Sequence, residues 1–113
     1  MPHCVIEYSA PLAEVLAIDE LVRCVHQGAI ASALFEPASI KTRALRCEHF
    51  AVGEAAGSFI HIGFAIMPGR SQAQKQQLTR AVYDLIAHLV AEVDSLTMNI
   101  TELDDATYFK QVS

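Results

Sequence analysis

The sequence predicts an α+β fold: two βαβ repeats forming one four-stranded sheet with two helices on a single face. Three observations lead there. A β-prone run, helical spacing and an imperfectly alternating run follow one another, and the order strand, helix, strand then comes a second time. The two runs are of similar length, about 1–57 and 58–113, as a duplicated unit within one 113-residue domain would be. A helical crossover inside each half favours parallel pairing there and lets both helices cover one sheet face.

Residues 3–8 form a short β-prone run that Ser9-Ala10-Pro11 closes, because proline gives a ladder no donor. Over 19–32, Leu21, Val22, Val25, Ala29 and Ala33 recur at three-to-four spacing, with Asp19 as the expected N-cap and Gly28 as the weak point. Residues 40–52 alternate imperfectly around Lys41, Arg43, Leu45 and Cys47. A turn at Gly53-Glu54-Ala55-Ala56-Gly57 then suggests a hairpin into the apolar run 58–67. That run is apolar on both faces, as expected for a strand covered by helices on one side and by another layer or subunit on the other.

Pro68-Gly69-Arg70 ends the strand, and Ser71 with Gln74 has the capping-box pattern that opens a helix. Leu78, Val82, Leu85, Ile86, Leu89, Val90 and Val93 trace one face of that helix. Leu96, Met98 and Ile100 then alternate with Thr97, Asn99 and Thr101 in a last strand. The sheet face turned away from the helices is expected to be equally apolar and to serve self-association.

Composition narrows the function. The chain is 52% hydrophobic with mean hydropathy +0.29, yet no apolar run approaches the roughly 20 residues of a membrane span. A domain this small buries a modest fraction of its surface, so oligomerisation is expected. A net charge of −5 disfavours nucleic acid and acidic membranes as partners. Three cysteines without C-x-x-C spacing read as reduced packing residues, and the start has no signal-peptide pattern, so a cytoplasmic location is expected.

The residue with most chemical content is Pro2. Removal of Met1 would leave a secondary amine held at the start of a strand, and burial with nearby cations lowers an amine's proton affinity towards that of a general base. Terminal trimming without catalysis is the plain alternative. Lys41 and Arg43, two apart, share a strand face, and Arg70 stands before a helix N-terminus. Together they can clamp carboxylates, although each taken singly reads as a solvated surface charge. The five histidines have no ligand spacing with the cysteines, so no metal is expected. Cys4 and His61 read as structural, whereas Glu7 and Glu102 could orient a substrate but read first as solvated or interface residues.

The stretch Pro-Gly-Arg-Ser-Gln-Ala-Gln-Lys-Gln-Gln-Leu (68–78) and Asn-Ile-Thr-Glu-Leu (99–103) resemble the 4-oxalocrotonate tautomerase family. The whole chain is still more similar to the 5-carboxymethyl-2-hydroxymuconate isomerase family. That similarity is carried by Pro2-His3, Ile40-Lys41-Thr42-Arg43, Phe59-Ile60-His61, Gly69-Arg70-Ser71 and Tyr108-Phe109-Lys110-Gln111. The resemblance implies a homotrimer of tautomerase-like subunits that needs no cofactor. It makes Pro2 the proton shuttle on an anionic di- or tricarboxylate, Arg70 a carboxylate binder, Lys41 or Arg43 a second cation, and Phe109 part of an apolar wall.

Lys41 stands where the family has arginine, a point charge in place of a bidentate fork. Where the second repeat would place its own proline, the sequence has Ile60, so one base per subunit is expected. A hydratase or dehalogenase of the same fold, and a non-catalytic trimeric ligand-binding scaffold, remain as alternatives.

Overall fold

A computed structural model describes residues 1–113. Strand β1 (His3–Ser9) leads through a 3-10 turn into helix α1 (Ile18–Ala31), a second short 3-10 turn (Pro37–Ser39) and strand β2 (Lys41–Cys47). Strand β3 (Phe59–Ile66), helix α2 (Gln72–Val90) and strand β4 (Ser95–Glu102) repeat the pattern. No helix is long and apolar enough to cross a membrane.

The sheet order is β2-β1-β3-β4, with β1 and β2 parallel, β3 and β4 parallel, and β1 antiparallel to β3. The expected hairpin between β2 and β3 is therefore wrong, because β1 lies between them. The reason is burial: Cys4, Ile6 and Tyr8 are all buried, whereas every residue of β2 keeps some exposure. A strand carrying Lys41, Arg43 and Arg46 belongs at an edge, where its charges also discourage stray pairing.

Ile6, Ile60, Ile62, Phe64 and Ile66 face the helices and meet Leu21, Val25, Leu78, Val82 and Ile86 in one core. The opposite sheet face is not equally apolar. Register places His3, Glu7, Lys41, Arg43, His61, Thr97 and Asn99 there among Val5, Leu45 and Phe59.

Helix α1 starts one residue before the expected cap: Ala17 is the N-cap, and Asp19 lies in the first turn with Glu20. Ile18 packs against the core, which draws the helix start towards it, and the two acids then favour the positive end of the helix dipole. Helix α2 has the expected capping box, with the Gln74 amide N–H donating to Ser71 Oγ at 3.1 Å and the Ser71 amide N–H to Gln74 Oε1 at 2.9 Å.

Gly28 allows the two helices to cross closely. A Cβ there would sit 2.6 Å from Val82 Cα, a backbone atom that cannot rotate away. Gly28→Ala gains ~1 kcal/mol of helix propensity, but the overpacking costs about 1–3 kcal/mol. With backbone as the obstacle the upper end applies, so the variant should be destabilised by about 1–2 kcal/mol. Thermal unfolding checks this: a melting temperature at or above that of the parent would show that the helices can separate freely.

Candidate active site at the N-terminus

Pro2 is fully buried, and its carbonyl accepts from the Lys41 amide N–H at 3.0 Å, the first rung beside the β1–β2 ladder. Ahead of it, the Met1 amine donates to Ser39 O and the Ser39 hydroxyl donates to Met1 O, both at 3.0 Å. With Met1 in place the chain start is thus fastened to the segment entering β2; the contact of Pro2 O with Lys41 does not depend on Met1 and would by itself keep residue 2 in place for precise proton transfer.

The second half shows what Pro2 corresponds to. Ser58 O accepts from the Ser95 amide N–H at 3.1 Å, as Pro2 O accepts from Lys41. Ser58, immediately before β3, is therefore the counterpart of Pro2, and Ile60 is not. The Ser58 N–H is an ordinary mid-chain amide that donates to Asp94 Oδ2 at 2.8 Å.

Electrostatics sets this corner apart. Of the eight lysines and arginines, Arg23, Arg46, Lys75 and Arg80 each have a carboxylate within salt-bridge range. Lys41, Arg43, Arg70 and Lys110 have none. Lys41 Nζ donates to Ser39 O at 2.8 Å, the same carbonyl that takes the Met1 amine. Arg70 donates to Leu34 O, and its guanidinium lies 5.5 Å from the centre of the Phe35 ring. Arg70, Phe35, Met67 and Met1 line a cavity of about 90 Å³. Gly69, at φ 117°, turns the chain out of β3 just before Arg70.

The amine at Met1 is held below its ordinary value, first by burial and then by Lys41 and Lys110. His3 is likewise lowered by burial, Arg43 and Lys41. An arginine can only donate, so the 3.2 Å contact of Arg43 Nη1 with His3 Nδ1 makes that nitrogen the acceptor. His3 Nε2–H then donates to Tyr108 Oη at 3.0 Å.

A larger open groove of about 690 Å³ lies elsewhere, along α2 at Gln76, Gln77, Arg80 and Tyr83 and next to Met98. Its one cation is already opposed by Asp84, and it offers no base. The smaller cavity is the better candidate because it joins the chain terminus to an unopposed arginine.

The structure thus brings Pro2, Lys41, Arg43 and Arg70 to one corner. Phe109 is not part of the cavity wall and is 85% exposed. Within one chain the apolar wall is Met1, Phe35 and Met67, of which the sequence reading named none as wall residues. Tyr108 and Lys110 were also missed as site residues. They sit in the same short terminal segment as Phe109, whereas nothing in the sequence marks Phe35.

Burial pushes the Cys4 thiol up to about 11. A thiol with no accessible surface and so little thiolate is inert. Titration of the native protein with an aromatic disulfide should leave Cys4 unmodified until denaturant is added. Early labelling of Cys4, located by peptide mass, would contradict this. His61 is hydrogen-bonded to Thr97 Oγ1 at 2.7 Å and Asn99 Oδ1 at 3.1 Å, which agrees with its structural reading.

Solved structures share this architecture over its whole length. The crystal structure of a 5-carboxymethyl-2-hydroxymuconate delta-isomerase superposes with TM-score 0.84 at 20% identity, covering 100% of this chain and 89% of that one. A 5-carboxymethyl-2-hydroxymuconate isomerase from Deinococcus radiodurans R1 gives TM-score 0.80 at 26% identity, covering 99% and 90%. A macrophage migration inhibitory factor-like protein from Entamoeba histolytica gives 0.75 at 15%, covering 99% and 96%. No curated protein matches the chain significantly by sequence.

The class is that of the tautomerase superfamily, whose members of this kind are cofactor-independent isomerases. The 5-carboxymethyl-2-hydroxymuconate isomerase family model matches residues 2–113, and the chain belongs to that family.

Proposed function

We propose that the protein, once Met1 is removed, uses the secondary amine of Pro2 to convert a 2-hydroxy-dienoate, similar to 5-carboxymethyl-2-hydroxymuconate, into its 2-oxo-enoate isomer. The observation that carries this reading is the segregation of charge. In a chain of net charge −5, the four cations without a carboxylate partner are Lys41, Arg43, Arg70 and Lys110, and all four bear on the N-terminus. Such a corner suits a substrate with two or three carboxylates.

Neutral Pro2 nitrogen takes the proton of the 2-hydroxyl group, and the oxygen's electrons form the ketone. The displaced electron pair passes through the diene to its far carbon, which receives the proton from protonated Pro2. Nothing is oxidised or reduced, and the amine ends as it began. Arg70 holds one carboxylate, while Lys41 and Arg43 hold another. Burial and the neighbouring cations keep the amine neutral near working pH.

We read residues 1–113 as one domain of two pseudo-repeats that assembles as a cytoplasmic homotrimer. Two sheet edges without partners, and the exposed side chains of Leu45, Phe50, Tyr83 and Leu85, support assembly. Removal of Met1 leaves Phe35 and Met67 as the apolar wall within one chain, and a neighbouring subunit can then bring Phe109 to complete it.

Intact mass measured together with ketonisation of 2-hydroxymuconate tests the reading. A mass lacking methionine, with turnover, supports it. A retained Met1 makes the Pro2 nitrogen an amide and would end it, as would absence of turnover in processed protein.

A further inference from the structure

Beyond β4 the chain does not trail away. The Leu103 amide N–H donates to Ile66 O at 2.8 Å, continuing the sheet by one rung. Asp104 then organises a turn: its carbonyl accepts from the Thr107 and Tyr108 amides at 3.1 Å each, and its Oδ1 accepts from the Ala106 amide at 3.0 Å. The turn delivers Tyr108 to His3. The hydrogen bond there is accompanied by an edge-on ring contact, with centroids 6.3 Å apart at 67°.

His3 itself is held from the other side by Arg43 on β2, so two independent contacts set its ring. Lys110 follows two residues after Tyr108, and its charge is felt at the Met1 amine. No carboxylate opposes it.

We propose that His3 and Tyr108 form a latch seating the C-terminal segment beside the N-terminus, so that Lys110 binds a substrate carboxylate other than the one at Arg70. The proposal rests on the isomerase reading above and adds a binding residue and two positioning residues to it. Lys110 touches substrate. His3 and Tyr108 act through the placement of Lys110.

The hydroxyl of Tyr108 can be removed without disturbing the core, because the segment lies outside it. Tyr108→Phe therefore tests the latch, and Lys110→Gln tests the cation. Two substrates separate binding from chemistry: 2-hydroxymuconate has two carboxylates, and 2-hydroxy-2,4-pentadienoate has only the one beside its hydroxyl. Lys110→Gln should raise KM about tenfold for the diacid and about twofold for the monoacid, the scale of one charge-assisted hydrogen bond. Lys110→Arg should recover most of the loss. Tyr108→Phe should reproduce several-fold of the diacid effect, and the double variant should be no worse than Lys110→Gln alone, because both changes remove one interaction.

Equal KM increases on both substrates would overturn the proposal, as would additive effects in the double variant. Calorimetric binding of trans,trans-muconate, which has no enol proton to move, gives the same comparison without turnover. About tenfold weaker muconate binding by Lys110→Gln upholds the carboxylate contact even if Pro2 proves not to be the base. Unchanged muconate binding sinks the contact while leaving the Pro2 mechanism standing.

Discussion

Pro2→Ala will lower kcat/KM for ketonisation of 2-hydroxymuconate by about 10²-fold, and acylating the amine through a retained N-terminal extension will lower it by about 10²–10⁴-fold, the range of general acid–base catalysis. The two changes differ chemically. An extension turns the nitrogen into an amide with no usable lone pair. Alanine keeps a primary amine but loses the ring that fills a fully buried site and holds the nitrogen in place. A primary amine there rotates and hydrates, so part of the proton transfer survives. Equal activity in the extended protein would remove Pro2 from the mechanism.

The acid limb of the pH profile gives a second readout of the same group. At the Met1 amine, one residue ahead of Pro2, burial comes first and Lys41 next among the causes that lower it, and the Pro2 amine is expected to meet the same neighbours once Met1 is gone. A cation disfavours the protonated amine, so removing it raises the amine's proton affinity and leaves the base neutral only at higher pH. Lys41→Gln should therefore move the acid limb of kcat/KM upward. A limb that stays in place or moves downward would show that Lys41 does not act on the base.

Arg70→Ala is the second large effect. Arg70 has no carboxylate partner within the chain, and the cavity it lines is shared with Met1. Removing a charge-assisted contact to a substrate carboxylate costs about 1.5–3 kcal/mol, or roughly 10–150-fold in kcat/KM. Arg70→Lys should recover only part of this, since an ammonium replaces a fork with a point charge. The bond to Leu34 O is also lost, but that donor lies at a half-buried surface site where water can substitute, so the melting temperature should fall by no more than a few degrees. A kcat/KM within threefold of the parent, at unchanged melting temperature, would leave Arg70 as a packing residue against Phe35.

What the amino-acid sequence determined by itself is local and periodic. Helical spacing located both helices and alternation the last strand, because side-chain period follows directly from backbone geometry, while β-prone and apolar runs bounded by turn residues located the other strands. The Ser71–Gln74 cap was legible for the same reason: both partners lie within one turn. Pro2, Lys41, Arg43 and Arg70 could be singled out by residue type, two-residue spacing and the order of short motifs.

Tertiary structure alone decided strand order. The turn-like segment 53–57 suggested a hairpin, whereas burial of Cys4, Ile6 and Tyr8 forces β1 to the centre and sends β2 to an edge. It also decided the wall of the cavity and the fourth cation of the corner. Phe35 and Met67 meet Arg70 across distant parts of the chain, and Tyr108 meets His3 across 105 positions. No periodicity encodes such meetings. They exist only because closing the core brings the two βαβ units together, and the free energy that does so depends on the whole buried surface rather than on any neighbouring residue.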